Sequence, residues 1–165
     1  SRKGITMYQD EMSTTEAVLR AYTDALADKV RREEFLQGQV LGGGSERLHV
    51  QGGGGTANQG DRYAAATEND KRLERDKSIV YAVRQGMREL NVAEDRCIRA
   101  VFFEDHKPVE AAAVVRLSVS YVRSAIQSGK AKLSDYCIPV YPLVCELRAD
   151  LQAEREAVLK KDEEK

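Results

Sequence analysis

Two glycine runs, Gly42–Gly44 and Gly52–Gly55, interrupt this chain of 165 residues and constrain it more than any other feature. Glycine loses more backbone freedom on ordering than any other residue. The stretch Gly38–Asp61, "GQVLGGGSERLHVQGGGGTANQGD", is therefore a poor helix and a poor strand. A phosphate-binding loop needs a Gly-Lys-Ser/Thr ending ahead of a helix. "GGGGTANQG" has no lysine, and no apolar strand precedes it. A Gly-rich flexible linker is expected over 38–62. It divides the chain into an N-terminal helical segment (1–37), a helical domain (63–136) and a C-terminal helical tail (137–165).

Outside the glycine stretch the apolar residues recur at helical spacing. Val18, Tyr22, Leu26, Val30 and Phe35 form one stripe, with a capping box at Ser13–Glu16 to start it and Gly38 to end it. Ile79, Val80, Val83, Met87 and Leu90 form the next. Asn91 can cap a new helix, whose face holds Ile98, Val101 and Phe102 with Phe103 beside them. Pro108 suits a first helical position. Pro139 and Pro142 interrupt whatever precedes the tail. The tail carries a thin stripe of Val144, Leu147, Leu151 and Val158, suited to packing on the chain's own body or to a weak dimer. No alternating strand pattern is longer than a few residues, so an all-α fold is expected.

Composition removes several function classes. No apolar run is long enough to span a membrane, and the first residues lack the apolar segment of a secretory leader. A cytoplasmic protein is expected. Cys97, Cys137 and Cys145 are odd in number and form no C-x-x-C; with His49 and His106 they give no zinc-ligand spacing. Reduced thiols, no metal and no cofactor are expected. His106 lies in a polar turn with no nucleophile arrangement around it. The acidic pairs Glu33-Glu34 and Glu94-Asp95 read as solvation or capping, so no enzyme is expected.

The net charge of -1 does not announce a nucleic-acid binder, but its distribution does more. From Arg116 to Lys132 lie Arg116, Arg123, Lys130 and Lys132 and no acid. The same region reads as two helices hinged at Arg116-Leu117-Ser118. The first turns Ala111, Val114 and Val115 toward a partner, with Ala112 small at the crossing. Ser118 can cap the second, in which Val119, Val122, Ile126, Gly129 and Leu133 follow at spacings of 3, 4, 3 and 4. The opposite face carries Ser120, Ser124 and Gln127, flanked by Tyr121 and Ser128 on one side and Arg123 and Lys130 on the other. Hydroxyls, an amide and cations without acids suit a helix that reads base edges and holds phosphates.

"EAAAVVRLSVSYVRSAIQSGKAKL" resembles the helix-turn-helix of region 4 in bacterial sigma-70-type factors. The elements that carry the resemblance are Ala112, Leu117-Ser118, Tyr121-Val122-Arg123-Ser124 and Ala131-Lys132-Leu133. "AEDRCIRAVFFEDHKP" is similar to the helix that leads in, and the match covers Ala93–Leu133. Arg116 stands where that family commonly has a turn glycine. The chain has no aromatic-rich segment for promoter melting. Its layout is similar to small phage and prophage transcription regulators, such as late-gene activators and Q-type antiterminators.

The resemblance implies a DNA-binding transcription regulator with its helix-turn-helix at 108–133, acting at a promoter with bacterial RNA polymerase holoenzyme. Ser120, Tyr121, Arg123, Ser124 and Gln127 would enter the major groove of double-stranded DNA. Arg116, Ser118 and Lys130 would hold phosphates. The N-terminal helix and the tail would meet polymerase or another copy of the protein. Two alternatives use the same residues differently: a small-terminase-like packaging adaptor assembled as a ring, and a protein-docking module that does not touch DNA.

Overall fold

The helical spacing in the sequence becomes helix wherever the chain is described. The computed structural model describes the backbone of residues 2–49 and 55–164, and the side chains of residues 10–38 and 60–164. Among these residues there is no strand. The order is α1 (Arg2–His49), α2 (Gly55–Met87), α3 (Val92–Ile98), a π-helical turn (Arg99–Phe103), α4 (Pro108–Val115), α5 (Val119–Cys137), a 3-10 turn (Ile138–Val140) and α6 (Tyr141–Glu163).

Both ends of the first expected segment differ. α1 begins well before Ser13, so Ser13 and Glu16 lie inside a helix and cap nothing. The neighbouring threonines bond backward instead, Thr14 to the Asp10 carbonyl at 2.8 Å and Thr15 to that of Glu11 at 2.9 Å. α1 also runs on through Gly38, where a helical glycine costs only about 1 kcal/mol relative to alanine. Of the linker expected over 38–62, residues 38–49 continue α1 and 55–62 belong to α2, while 50–54 lie outside the described residues.

α1 and α2 pair antiparallel. Arg84 donates to the Tyr22 hydroxyl at 3.1 Å, Arg75 to Asp28 at 3.2 Å, and Asn69 to the Arg32 carbonyl at 3.1 Å, so one helix descends as the other rises. α6 lies against both: Arg148 donates to the Ala17 carbonyl at 3.1 Å, and Arg72 reaches Glu154 at 2.8 Å. Val144 and Leu147 of the tail stripe are buried against the body, while Val158 is exposed. In α1, Val18 and Tyr22 are buried and Val30 and Phe35 are exposed.

One hydrophobic core joins all these segments. It runs from Val18 and Leu19 through Ile79, Val83, Ile98 and Leu133 to Leu147. Each such side chain, fully buried, contributes roughly 1.5–3 kcal/mol. Within this core α5 is the central element, touching α1, α2, α3 and α4. Two glycines let it sit there. A Cβ on Gly86 of α2 would lie 2.6 Å from Leu133, and one on Gly129 of α5 would lie 3.1 Å from Ile98. Gly86, which weakens α2 on propensity alone, is a point of close approach. Cys97 and Cys137 are buried free thiols in the same core, and burial pushes Cys137 up to about 12.

The π-helical turn explains how two consecutive phenylalanines both face inward. Its extra residue carries the Glu104 N–H to the Arg99 carbonyl at 2.9 Å, five positions back. Phe102 is buried, and Phe103 packs on Tyr22 with ring centroids 4.5 Å apart.

Gly86→Val should therefore overpack the α2–α5 contact and destabilise the protein by about 1–3 kcal/mol. A lower urea midpoint with unchanged slope would report this. Gly38→Ala, where a Cβ meets nothing within 4 Å, should be neutral or stabilising in the same assay.

Candidate nucleic-acid interface

Each end of the α4–α5 unit is fixed by local chemistry. Pro108 sits in the first turn of α4, where its missing N–H costs nothing. α4 ends at Arg116, which adopts φ 59, ψ 47, the left-handed region. The N–H of Leu117 then bonds back to the Ala112 carbonyl at 3.1 Å, the six-to-one closure of a Schellman ending. An L side chain in this conformation costs about 1–2 kcal/mol, and glycine is the usual occupant. Ser118 follows with extended backbone, and its hydroxyl accepts the Tyr121 N–H at 3.1 Å. The turn is thus Arg116-Leu117-Ser118, as the sequence indicates.

In α4, Ala111 and Ala112 are buried and Val115 is partly buried. Val114 was expected inward, but it is 56% exposed, because the helix turns its two small alanines to α5. In α5, Val122, Ile126, Gly129 and Leu133 are buried and Val119 packs at the edge of the core.

The outward face of α5 holds Ser120, Tyr121, Arg123, Ser124 and Gln127, all exposed, with Tyr121 at 51%. Arg116 and Ser118 are exposed at the turn beside them. Arg116 and Arg123 have no ion-pair partner among the described residues.

Lys130 differs from expectation. It is buried, and its Nζ lies 3.5 Å from the Glu16 carboxylate of α1. Helical spacing puts it on the flank of the outward face, but α1 covers that flank, and α1 lies far away in sequence. Lys130 forms the inner wall of a cleft of about 460 Å³ between α1, the loop before α4, and α5. Arg20, Lys107, Arg123 and Gln127 line the same cleft, so cations of three separate segments meet there. Arg20 also stacks over Phe102 at 5.0 Å and pairs with Glu16 at 3.0 Å. Neither Arg20 nor Lys107 has a sequence signal that would have associated it with α5.

The largest departure from the sequence reading is Glu94. It belongs to the acidic pair read as solvation or capping, and it does cap: its N–H donates to the Asn91 side chain at 2.8 Å, and the Asn91 N–H returns to its carboxylate at 3.0 Å. It is also 2% exposed and holds α5 directly. Lys132 donates to Oε1 at 2.7 Å, and the Ser128 hydroxyl donates to Oε2. This occupies Ser128 and Lys132, which face outward in a helical projection. Burial works against the charge of Glu94, but the bonds from Lys132, Ser128 and the Asn91 backbone outweigh it and hold its pKa below the usual carboxylate range.

His106 is half-buried, with Glu104 and Glu110 each 3.5 Å from a ring nitrogen. Among the described residues no group of three or more histidine, cysteine or acidic side chains could hold a metal ion. Nor is any described helix long and apolar enough to cross a membrane. No protein-family model, curated protein or solved structure matches the chain.

Glu94→Gln keeps the shape of the cap but removes the charge that Lys132 and Ser128 address. Since the folded pKa is depressed, the contribution of Glu94 is present above its unfolded value and is lost as pH falls through the folded one. The variant should lose about 1–3 kcal/mol at pH 7 and approach the parent in acid, read from urea unfolding at a series of pH values.

Proposed function

We propose that this protein is a sequence-specific DNA-binding transcription regulator, and that α4 and α5 act as a helix-turn-helix with α5 in the major groove. The observation that carries the reading is the outward face of α5. It is exposed, free of acids from Arg116 to Lys132, and supplied with hydroxyls, an amide and an unpaired arginine on a helix held from behind by four others. A merely solvated helix mixes both signs of charge. This one offers only donors and acceptors suited to base edges and phosphates.

Arg116 adds a second line of support. A left-handed arginine is strained where glycine is not, and strain of this kind persists where the side chain is used. Arg116 is exposed two residues before the Ser118 cap, so its cation is available to a phosphate that approaches the N-terminus of α5. Arg116 and Ser118 hold the backbone in this reading; Ser120, Tyr121, Arg123, Ser124 and Gln127 read the groove. Lys130 drops from the phosphate contacts, because Glu16 already occupies it. The likeness to sigma region 4 makes bacterial RNA polymerase at a promoter the expected partner, and a phage or prophage regulator the expected kind of protein.

One observation favours a second reading, a module docked on another protein. Val109 and Val114 of α4 are 63% and 56% exposed, two apolar side chains on a short helix beside the turn. The readings separate in a pool of random duplexes at low salt, where the phosphate term is strongest. An enriched motif supports DNA reading, and no retention at all supports docking.

Two substitutions sharpen this. Arg123→Ala should cost roughly 1–3 kcal/mol on the enriched site and less on unrelated duplexes if it reads a base. Arg116→Gly should move stability and binding in opposite directions. Relief of the left-handed strain should raise the melting temperature by about 2–4 °C for each kcal/mol gained. Loss of the cation should weaken binding on all sequences and flatten its salt dependence.

A further inference from the structure

A cluster of buried charges joins α1, α2 and α6. Asp28 of α1 and Asp76 of α2 are its centre, 1% and 0% exposed. Arg75 of α2, itself buried, reaches Asp28 and Asp76 at 3.2 Å each and also donates to Asp150 of α6. The surrounding groups are Arg31 and Arg32 from α1, Glu68 and Arg72 from α2, and Glu154 from α6. Arg31 and Arg32 donate to Asp28 at 3.0 and 3.3 Å. Arg72 addresses Glu68, Asp150 and Glu154 at 3.4, 3.6 and 2.8 Å, and Arg32 meets Glu154 at 3.3 Å.

Asp28 is well served, with three guanidinium groups. Asp76 is not. Its Oδ1 accepts from Arg75, but its Oδ2 is buried with no donor to satisfy it. A buried carboxylate oxygen without a donor is costly. A proton on that oxygen would lower the cost, because Asp28 and Asp76 are both buried and share the Arg75 guanidinium at 3.2 Å, which brings a second carboxylate close enough to face it. Around the centre, Arg31, Arg32, Arg72 and Arg75 are opposed by Asp28, Asp76, Asp150, Glu154 and Glu68, one acid more than the bases present. One shared proton brings the cluster to balance.

We infer that the Asp28–Asp76 pair holds one proton at the α1–α2–α6 junction, and that releasing it loosens the part of α6 from Asp150 onward from the helical hairpin. α6 is the element that gives way. Its buried apolar anchors, Val144 and Leu147, lie before Asp150; from Asp150 onward the helix is attached through the ion pairs of Asp150 and Glu154 and through Leu151, which is only partly buried against the core. A second charge between Asp28 and Asp76 draws Arg75 inward and away from Asp150. The proton goes to solvent, and apart from its O–H no covalent bond changes; what is lost is the Arg75–Asp150 ion pair.

Burial and the facing Asp28 push Asp76 up to about 7, against the pull of Arg75, while Asp28 is held below its usual value. The folded state therefore keeps a proton that the unfolded chain gives up near 3.8. The stabilisation is full below that unfolded value and is lost as pH rises through about 7.

The test is thermal unfolding of the full chain from pH 5.5 to 8.5, with amide exchange of α6 corrected for the intrinsic pH dependence of exchange. The melting temperature of the parent should fall across this range, and amides after Asp150 should exchange several-fold faster at the upper end. Asp76→Asn supplies an N–H to Asp28 at every pH and should remove both effects. Asp28→Asn provides a second route: it relieves the carboxylate facing Asp76 and should shift the transition to lower pH. An unchanged slope in Asp76→Asn, or α6 exchange that ignores pH while the melting temperature moves, would overturn the inference.

Discussion

The orientation of α5 depends on one carboxylate. Glu94 closes the capping box of α3 with one set of bonds and grips Ser128 and Lys132 of α5 with another. The start of α3 and the middle of α5 are therefore built around the same atoms. A salt bridge on the surface would contribute little, because water competes for both partners. Glu94 is buried and multiply bonded, so removing it would leave several donors unserved at once. What α5 presents outward takes its direction from this attachment, from the Ser118 cap at its beginning and from the buried stripe behind it.

Much of the α3–α5 region was legible because its signals are local. Asn91, Pro108 and Ser118 announce helix starts, and the run Val122, Ile126, Gly129, Leu133 defines a buried stripe without knowledge of what covers it. The awkward Arg116 was visible as an arginine at a glycine position, and its left-handed backbone follows from the tightness of the turn. The helix limits of α1 were not legible, since Ser13 and Gly38 are residues that often end or begin a helix and here the helix runs through both. Lys130 and Glu94 escaped for a related reason. Helical periodicity assigns a face within one helix; it does not say that α1 will cover the flank of α5, or that an acid of a charged pair will turn inward. Pairings such as Glu16 with Lys130 are tertiary facts, separated by most of the chain.

The molecule uses charge in two ways. At the turn and on the outward face of α5, Arg116 and Arg123 stand without an acid partner among the described residues, a condition that water sustains cheaply and a polyanion would exploit. Between α1, α2 and α6 cations and acids are interleaved and withdrawn from water, where attraction and desolvation nearly cancel. Such a cluster adds less adhesion than its number of bonds suggests. Its stronger effect is on register, because Arg75 can satisfy Asp28, Asp76 and Asp150 together in only one alignment of the three helices. Adhesion of α6 comes chiefly from Val144 and Leu147.

The two close glycine contacts carry a consequence for how such a protein can change over generations. Gly129 brings α5 down onto Ile98, and Gly86 admits Leu133 from the other side, so the inward half of α5 is keyed against its neighbours at two points. Ser120, Tyr121, Arg123, Ser124 and Gln127 share none of those contacts. The helix is divided along its length into an inward half keyed to its neighbours and an outward half in which, apart from Ser128 and Lys132 on Glu94, side chains can be exchanged without disturbing the packing. A lineage carrying this fold could exchange a handful of outward side chains, with the rest of the chain left as it is.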